Sequence, residues 1–247
     1  MMFEYELSVV VPALNEENTI EEVINRLFDL PFKTQIIVVN DGSTDGTAAI
    51  LASFGDKIEV LTNEFPSGKG NAIRKALPSI KGLATIIQDA DLEYESSEIP
   101  SLITPILDGL EKVVFGSRFA HGLPKAMALP NKVVNILLAL NVRLLYGVKI
   151  SDEATCYKAL RSDVLQAMEL ECERFEFCPE VTSKAIRLGC RIAEVPISYT
   201  PRSKNQGKKI RWTDAPEAFS TLFKYRFWRP NRVLLDDKIA TAQPITP

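Results

Sequence analysis

Short apolar runs rich in β-branched residues alternate along this chain with segments whose apolar residues recur every three or four positions. Residues 7–12 and 35–40 are such runs, and their near-continuous Val and Ile content predicts strands buried on both faces. Between them, Ile20, Val23 and Leu27 mark one face of a helix. A strand, a helix and a second strand in this order predict a right-handed βαβ unit and a parallel sheet.

The same alternation continues to about residue 225. It predicts further strands over residues 58–62, 85–89, 113–118 and 190–199, and further helices over residues 50–54, 131–146, 175–188 and 214–225. We therefore expect an α/β fold with a mostly parallel central sheet flanked by helices. We also expect one domain over residues 1–230 and a poorly ordered tail over residues 231–247, where the apolar pattern fades.

Composition narrows the class of protein. The chain has 247 residues, 46% of them hydrophobic and 25% charged, which is ordinary for a globular domain. The net charge of −3 argues against a nucleic-acid binder. The four cysteines have no C-x-x-C spacing, so we expect reduced thiols in a cytoplasmic protein. No signal peptide is visible, and no apolar run approaches the roughly 18 residues of a membrane span.

Three acids follow the predicted fourth strand. Asp89, Asp91 and Glu93 are spaced two residues apart, so strand alternation is expected to point all three to one side. Carboxylates held in this way suit Mg²⁺ or Mn²⁺, and such an ion commonly binds a diphosphate as well. The pattern is short, and taken alone it also fits a solvated acidic turn.

Two other predicted strands are followed by candidate binding groups. Asp41 ends the second strand, where open α/β sheets bind nucleotides. Lys69 lies between Gly68 and Gly70 at a predicted helix start, which suits a phosphate or a ribose hydroxyl. A glycine-rich helix start with a solvated lysine is the alternative. No G-x-G-x-x-G or P-loop pattern is present.

Two later segments have more than one interpretation. The helix over 131–146 has a broad apolar face, which favours core packing, with contact to a lipid surface as the alternative. Residues 201–212 carry five basic side chains and no acid. They fit either a solvated face or a mobile lid that closes over phosphates.

Eight sequence motifs follow one another in the order found in a known family. They are VVVPALNEE, VVNDGSTDGT, SGKGNAIRKA, IIQDADLEY, VFGSR, ISDEATCYKAL, FEFCPEVTSKAIRLGCRIAEVPISY and PRSKNQGKKIRW, and the likeness covers roughly residues 7 to 225. Together they resemble the GT-A glycosyltransferases of family 2. Within that family the likeness is to the dolichol- or polyprenol-phosphate mannosyl- and glucosyltransferases. The resemblance implies a single-domain GT-A fold.

The resemblance also implies roles for individual residues. The nucleotide pocket of the donor would be lined by Pro12, Ala13, Asn15, Glu16, Asp41 and Lys69. Asp89 would face the nucleoside and Asp91 the metal, with Glu93 as a second ligand. Ser117 and Arg118 would hold the phosphate of the acceptor. Asp152 would border the sugar with Thr155 and Cys156, Glu180 would lie near the reaction centre, and Arg202 and Lys209 would clamp phosphates.

The implied reaction moves mannose or glucose, with inversion, from GDP-mannose or UDP-glucose to a polyprenyl or dolichyl phosphate. A metal and cations would neutralise the leaving diphosphate. A phosphate acceptor is already ionised at pH 7 and needs no base. Many members of this branch carry C-terminal transmembrane helices that this sequence does not contain. We therefore expect a cytoplasmic enzyme that reaches its acceptor at the membrane surface or through a membrane-protein partner.

Two alternatives remain open at this point. A saccharide acceptor would need a carboxylate base, for which Asp152 and Glu180 are the candidates. A module that binds a sugar nucleotide without turnover would keep the donor pocket. The acidic triplet and the basic segment speak against such a module, because it has no leaving group to stabilise.

Overall fold

One seven-stranded sheet organises the chain. The computed structural model describes residues 3–120, 122–124, 127–202 and 215–230. In sheet order, the strands are β3 (Glu59–Asn63), β2 (Thr34–Asp41), β1 (Tyr5–Ala13), β4 (Gly82–Ile87), β6 (Lys158–Arg161), β5 (Val113–Ser117) and β7 (Ala193–Pro196). β6 runs antiparallel to both of its neighbours, and the other pairings in this sheet are parallel.

Eight α-helices in the described residues connect and cover these strands. They are α1 (Ile20–Phe28), α2 (Thr47–Ser53), α3 (Lys69–Ala76), α4 (Ile99–Leu107), α5 (Leu129–Tyr146), α6 (Ser162–Ala167), α7 (Phe177–Arg187) and α8 (Ala215–Tyr225). α3 packs on β1 and β2, whereas α4 packs on β4 and β5. The predicted mostly parallel α/β fold is confirmed.

The apolar residues form two cores. The larger one surrounds the sheet and includes the fully buried side chains of β1, β2 and β4, as their continuous Val and Ile runs require. The smaller one joins α5 to α8 through Leu138, Val142, Ile150 and Leu222. Within the part of the chain described here, no helix combines the length and the apolar character needed to cross a membrane.

Two local predictions differ from the structure. β4 ends at Ile87, so the acids that follow it lie in a loop rather than on the strand. In that loop Leu92 has a φ of +58°, a left-handed conformation that interrupts the alternation expected to align the three carboxylates. The second difference is β6, a strand that the predicted elements do not include; its four residues are too few for a periodic signal.

Candidate active site

A cleft of about 400 Å³ opens where β1, β2 and β4 end. Side chains after these strands line one end of it, because the carboxyl ends of parallel strands meet at the same edge of a sheet. Helices α5 and α8 line the other end. The predicted site residues in its lining are Pro12, Ala13, Glu16, Asp41, Lys69, Asp89, Asp91, Glu93, Arg118, Cys156 and Arg202.

Lys69 and Asp89 form an ion pair in the wall of the cleft. The Nζ atom of Lys69 lies 2.5 Å from Oδ1 of Asp89 and 3.1 Å from Sγ of Cys156. Burial opposes both charges, but their mutual attraction outweighs it. The pKa of Lys69 is therefore held well above its usual value, and the pKa of Asp89 is lowered. Both groups remain charged and fixed in position.

Asp91 lies beside this pair and faces Arg202. Its Oδ2 atom accepts a hydrogen bond of 2.9 Å from Nη2 of Arg202, whose guanidinium also binds both oxygens of Glu16 at 2.9 and 3.2 Å. Burial, followed by the charges of Asp89 and Glu93, raises the pKa of Asp91 to about 7, although Arg202 opposes the shift. The negative charge at this point of the cleft is thus only partly neutralised.

The carboxylate of Glu93 is held by Tyr199 and by the backbone of Arg202. It accepts hydrogen bonds from the hydroxyl of Tyr199 at 2.9 Å and from the backbone N–H of Arg202 at 2.7 Å. In the described part of the chain, no three Asp, Glu, Cys or His side chains converge as a metal-binding group. The expected three-carboxylate set is therefore not formed here. Asp89 and Asp91 alone still fit Mg²⁺, which binds through one or two carboxylates together with substrate phosphates.

Asp41 organises the loop before α3. Its carboxylate accepts hydrogen bonds from the backbone N–H groups of Ser67 and Gly68 and from the amide of Asn63, at 2.7 to 2.9 Å. A carboxylate offers about four acceptor sites, so about one remains for a ligand in the cleft. Asp41 is thus both a loop anchor and a member of the lining.

The backbone N–H groups of Gly70 and Asn71 at the start of α3 are not available to bind a phosphate in the cleft. The N–H groups of Gly70 and Asn71 donate to the carbonyls of Arg174 and Glu173 at 3.0 and 2.9 Å. A Cβ at Gly68 would lie 2.4 Å from the Glu173 carbonyl oxygen, which explains why this glycine is needed. The backbone thus approaches another loop rather than a ligand. The side chain of Lys69 contributes to the cleft by its contact with Asp89.

Arg118 dominates the other end of the cleft. It forms a bidentate pair with Asp152, with both N–O distances at 2.7 Å, and it donates to Oδ1 of Asn135 on α5 at 3.2 Å. Its guanidinium carbon also lies 4.9 Å from the ring centre of Tyr199. Burial opposes the charge of Arg118, but Asp152 outweighs it and holds the pKa well above the usual value. The result is a rigid cation at the cleft wall.

Other predicted site residues lie outside the lining. Asp152 and Ser117 are buried behind Arg118, and the Ser117 hydroxyl pairs with Ser151 at 2.6 Å. The Oδ1 atom of Asn15 accepts from the N–H of Thr44 at 2.8 Å, so this residue holds a loop in place. Thr155 is also buried outside the lining. Lys209 lies outside the described residues.

Glu180 has a structural environment rather than the expected position near the reaction centre. It is fully buried, forms a 2.6 Å ion pair with Lys184, and accepts hydrogen bonds of 2.8 Å from the N–H groups of Glu171 and Cys172. It is absent from the residues that line the cleft. Its carboxylate connects α7 to the preceding loop.

Several residues of the site were missed by the sequence analysis. Asn135 was not among the predicted site residues, yet a polar residue on the buried face of α5 was a usable signal. Glu194 accepts hydrogen bonds from the N–H groups of Ser151 and Asp152 at 2.8 to 3.2 Å, and Tyr199 contacts Arg118. No local pattern marks either of them, because their partners are distant in the sequence.

Comparisons with known proteins agree with this geometry. The profile of glycosyl transferase family 2 matches residues 8–168. Glycosyltransferase AglJ of Haloferax volcanii is 29% identical over 195 residues, which are 78% of this chain and 63% of AglJ, so the chain spans less than two thirds of that relative. An undecaprenyl-phosphate mannosyltransferase of Micrococcus luteus is 29% identical over 212 residues, with 81% of this chain and 85% of the relative covered.

A solved structure shares the fold. Glucosyl-3-phosphoglycerate synthase of Mycobacterium tuberculosis, in complex with Mn²⁺, UDP-glucose and phosphoglyceric acid, superposes with a TM-score of 0.68 at 22% identity. The match covers 90% of this chain and 80% of that one. The predicted GT-A fold and the predicted likeness to polyprenol-phosphate sugar transferases are confirmed. The chain belongs to glycosyl transferase family 2.

Proposed function

We propose that this glycosyltransferase moves a hexose, with inversion, from a nucleotide-diphosphate sugar to a polyprenyl phosphate. The observation that carries the proposal is the rigid Arg118 cation, held by Asp152 and Asn135 in the same cleft as Asp89 and Asp91. One end of the cleft thus offers a carboxylate pair for a metal-bound diphosphate. The other end offers a cation for a second phosphate.

The ion pairs formed by the two candidate bases favour a phosphate acceptor over a sugar hydroxyl. Asp152 is neutralised by Arg118, and Glu180 is neutralised by Lys184 outside the cleft lining. Neither carboxylate is placed to take a proton from a hydroxyl in the cleft. An ionised phosphate attacks the anomeric carbon without a base, so this wall of the cleft suits it.

In this proposal Asp91 and Asp89 hold a divalent cation, Mg²⁺ or Mn²⁺. The mycobacterial synthase that shares this fold was solved in complex with Mn²⁺. When bound, the ion would stabilise the negative charge that grows on the leaving diphosphate. Lys69 fixes Asp89, and Arg202 faces Asp91 and Glu16, so both cations lie where phosphate oxygens would be received.

A lipid acceptor also gives a reason for the exposed face of α5. This apolar stripe comprises Leu129, Val133, Ile136, Leu137, Leu140 and Leu144, which are 46 to 74% exposed. The opposite side of the helix supplies Asn135 and Leu138 to the cleft. The helix carries Lys132 and Arg143 and no acid, which suits an anionic lipid surface. We propose that the stripe rests on the cytoplasmic membrane surface.

A turnover screen tests the proposed reaction. GDP-mannose and UDP-glucose are each paired with a short polyprenyl phosphate, the corresponding polyprenol, a soluble saccharide or water, with Mg²⁺, Mn²⁺ or a chelator. We expect a lipid-linked hexose of inverted configuration from one donor, formed only with the phosphorylated lipid and abolished by the chelator. Transfer to the saccharide alone would show that the acceptor is a saccharide and not a polyprenyl phosphate. Donor binding without any turnover would show that the protein is a module that binds the sugar nucleotide and does not transfer the sugar.

A further inference from the structure

Glu153 differs from the other buried acids of the cleft because one of its oxygens is left unpaired. The residue is fully buried, and its Oε1 atom accepts a hydrogen bond of 3.1 Å from the hydroxyl of Thr182. Its Oε2 atom is buried and has no hydrogen-bond partner among the described residues. Burial raises the pKa of Glu153, although Lys158 opposes the shift. An unpaired buried acceptor destabilises the fold, so it calls for a functional explanation.

Few unpaired atoms of this kind belong to the cleft. Within the described residues, five buried side-chain atoms have no partner, and they belong to Asn141, Glu153, Thr155, Ser183 and Arg202. Only Glu153 and Arg202 are among the residues that line the cleft. Arg202 already faces the proposed phosphate positions. Glu153 is therefore the lining residue whose unpaired atom has no assigned ligand.

The position of Glu153 identifies the part of the ligand that it would meet. It belongs to a short loop that joins the two ends of the cleft: Asp152 binds Arg118, and Cys156 lies 3.1 Å from Lys69. Under the proposed function, the acceptor phosphate lies at the Arg118 end and the donor diphosphate at the Lys69 end. The transferred hexose must lie between them, beside this loop.

The side chain is also held in one place. The Nζ atom of Lys158 donates to the Glu153 carbonyl at 2.7 Å and to the Thr182 hydroxyl at 3.2 Å, and it lies 3.6 Å from the ring centre of Phe115. Lys158 thus holds the loop backbone in place, and Thr182 holds the Oε1 atom. A rigid acceptor that is already desolvated loses little on binding a hydroxyl, so it can select for one.

We propose that Oε2 of Glu153 accepts a hydrogen bond from one hydroxyl of the transferred hexose and makes the enzyme select donors that carry that hydroxyl. This inference rests on the proposed hexose transfer and adds a specificity-determining residue to it. No proton or covalent bond is transferred in this contact. A donor that lacks the hydroxyl leaves the buried oxygen unpaired and is rejected for that reason.

The test is a comparison of monodeoxy donors on the wild-type enzyme and on Glu153→Met. Methionine keeps the length of the side chain and removes the acceptor, and Thr182 can still donate to the Cys178 carbonyl at 2.9 Å. In the wild type, we expect kcat/KM to fall about ten- to a hundredfold for one of the 2-, 3-, 4- or 6-deoxy donors. In Glu153→Met, the parent donor should fall by the same factor, and the same deoxygenation should have no further effect.

Glu217→Gln is the matched control, since Glu217 is an exposed acid of the lining on α8. It should discriminate among donors as the wild type does. If Glu153→Met loses activity but still discriminates against every deoxy donor as the wild type does, Glu153 is only structural and the inference is wrong. Turnover can be read as transfer or as donor hydrolysis, so loss of the lipid acceptor alone would not affect this comparison. Absence of any turnover in the wild type would refute the proposed function instead.

Discussion

The two ends of the cleft are built by different means. The end proposed for the donor consists of side chains that follow parallel strands, and Asp41 there is fixed by Ser67 and Gly68. The end proposed for the acceptor is formed by Arg118 and by helices α5 and α8, which share a small core of their own. One side of α5 packs on this core, whereas Ile136 and Leu140 on the other side are about half exposed.

The two ends differ in whether their surfaces are already covered by the described chain. At the donor end the sheet supplies rigid positions for a polar ligand, and the charges are paired before any ligand arrives. At the acceptor end an apolar surface is left for something outside the described chain to cover, since contiguous exposed apolar patches commonly mark interaction sites.

The largest effect is expected at the donor end from Asp91→Asn. The amide keeps the shape but removes the charge that would hold a divalent cation, so turnover should fall on the order of 10³-fold. Stability should be unchanged or higher, because the raised pKa of Asp91 shows that its charge is disfavoured in the folded protein. Steady-state turnover with a Mg²⁺ titration and thermal unfolding measure the two effects. Activity that survives both the substitution and a chelator would contradict a metal-assisted mechanism.

A smaller effect, confined to the acceptor end, is expected from Arg118→Gln. Loss of the bidentate cation should lower kcat/KM for the polyprenyl phosphate by about 10²-fold and leave donor affinity unchanged. Arg161→Gln is the control, because Arg161 forms a similar pair with Asp163 at 2.6 to 2.7 Å outside the cleft lining. Calorimetric donor binding and acceptor kinetics give the comparison. Equal acceptor defects in both variants would show a general loss of structure.

Glu180→Gln should affect stability and leave the chemistry of both ends intact. Removing one partner of the fully buried Glu180–Lys184 pair costs about 3–5 kcal/mol of unfolding free energy. Turnover per folded molecule should stay near the wild-type value, and Lys184→Met should behave similarly. Urea unfolding and active-site-normalised kinetics measure these quantities. A selective loss of turnover in a stable Glu180→Gln protein would restore the expected role of Glu180 near the reaction centre.

The smallest effect on the isolated protein is expected from Ile136→Ser combined with Leu140→Ser. These exposed positions should change the unfolding free energy by no more than about 0.5 kcal/mol each. Binding to anionic lipid vesicles should weaken about tenfold or more, because less apolar surface enters the interface. Leu110→Ser is the control, since Leu110 is 75% exposed and lies outside α5. Equal vesicle binding by both variants would argue against α5 as the lipid-facing surface.

Sequence patterns identified much of the end proposed for the donor. The runs before Asp41 and Asp89 marked buried strands, and the meeting of parallel strand ends placed Asp41, Lys69 and Asp89 at one cleft. The direction of Glu93 was missed, because it depends on the left-handed turn at Leu92. The role of the glycines beside Lys69 was missed as well, since the loop at Glu173 that they admit is about a hundred residues away in the chain.

Local periodicity and short motifs were sufficient to predict the α/β class, the family and the acids that follow the strands. Only the tertiary structure decided which partner each buried charge received. Asp152 pairs with Arg118 from a different segment, and Glu153 keeps one oxygen unpaired in the cleft wall. A buried charge takes its partner from whichever segment packs against it, and that choice is made by the packing of distant elements rather than by the residues beside it in the chain.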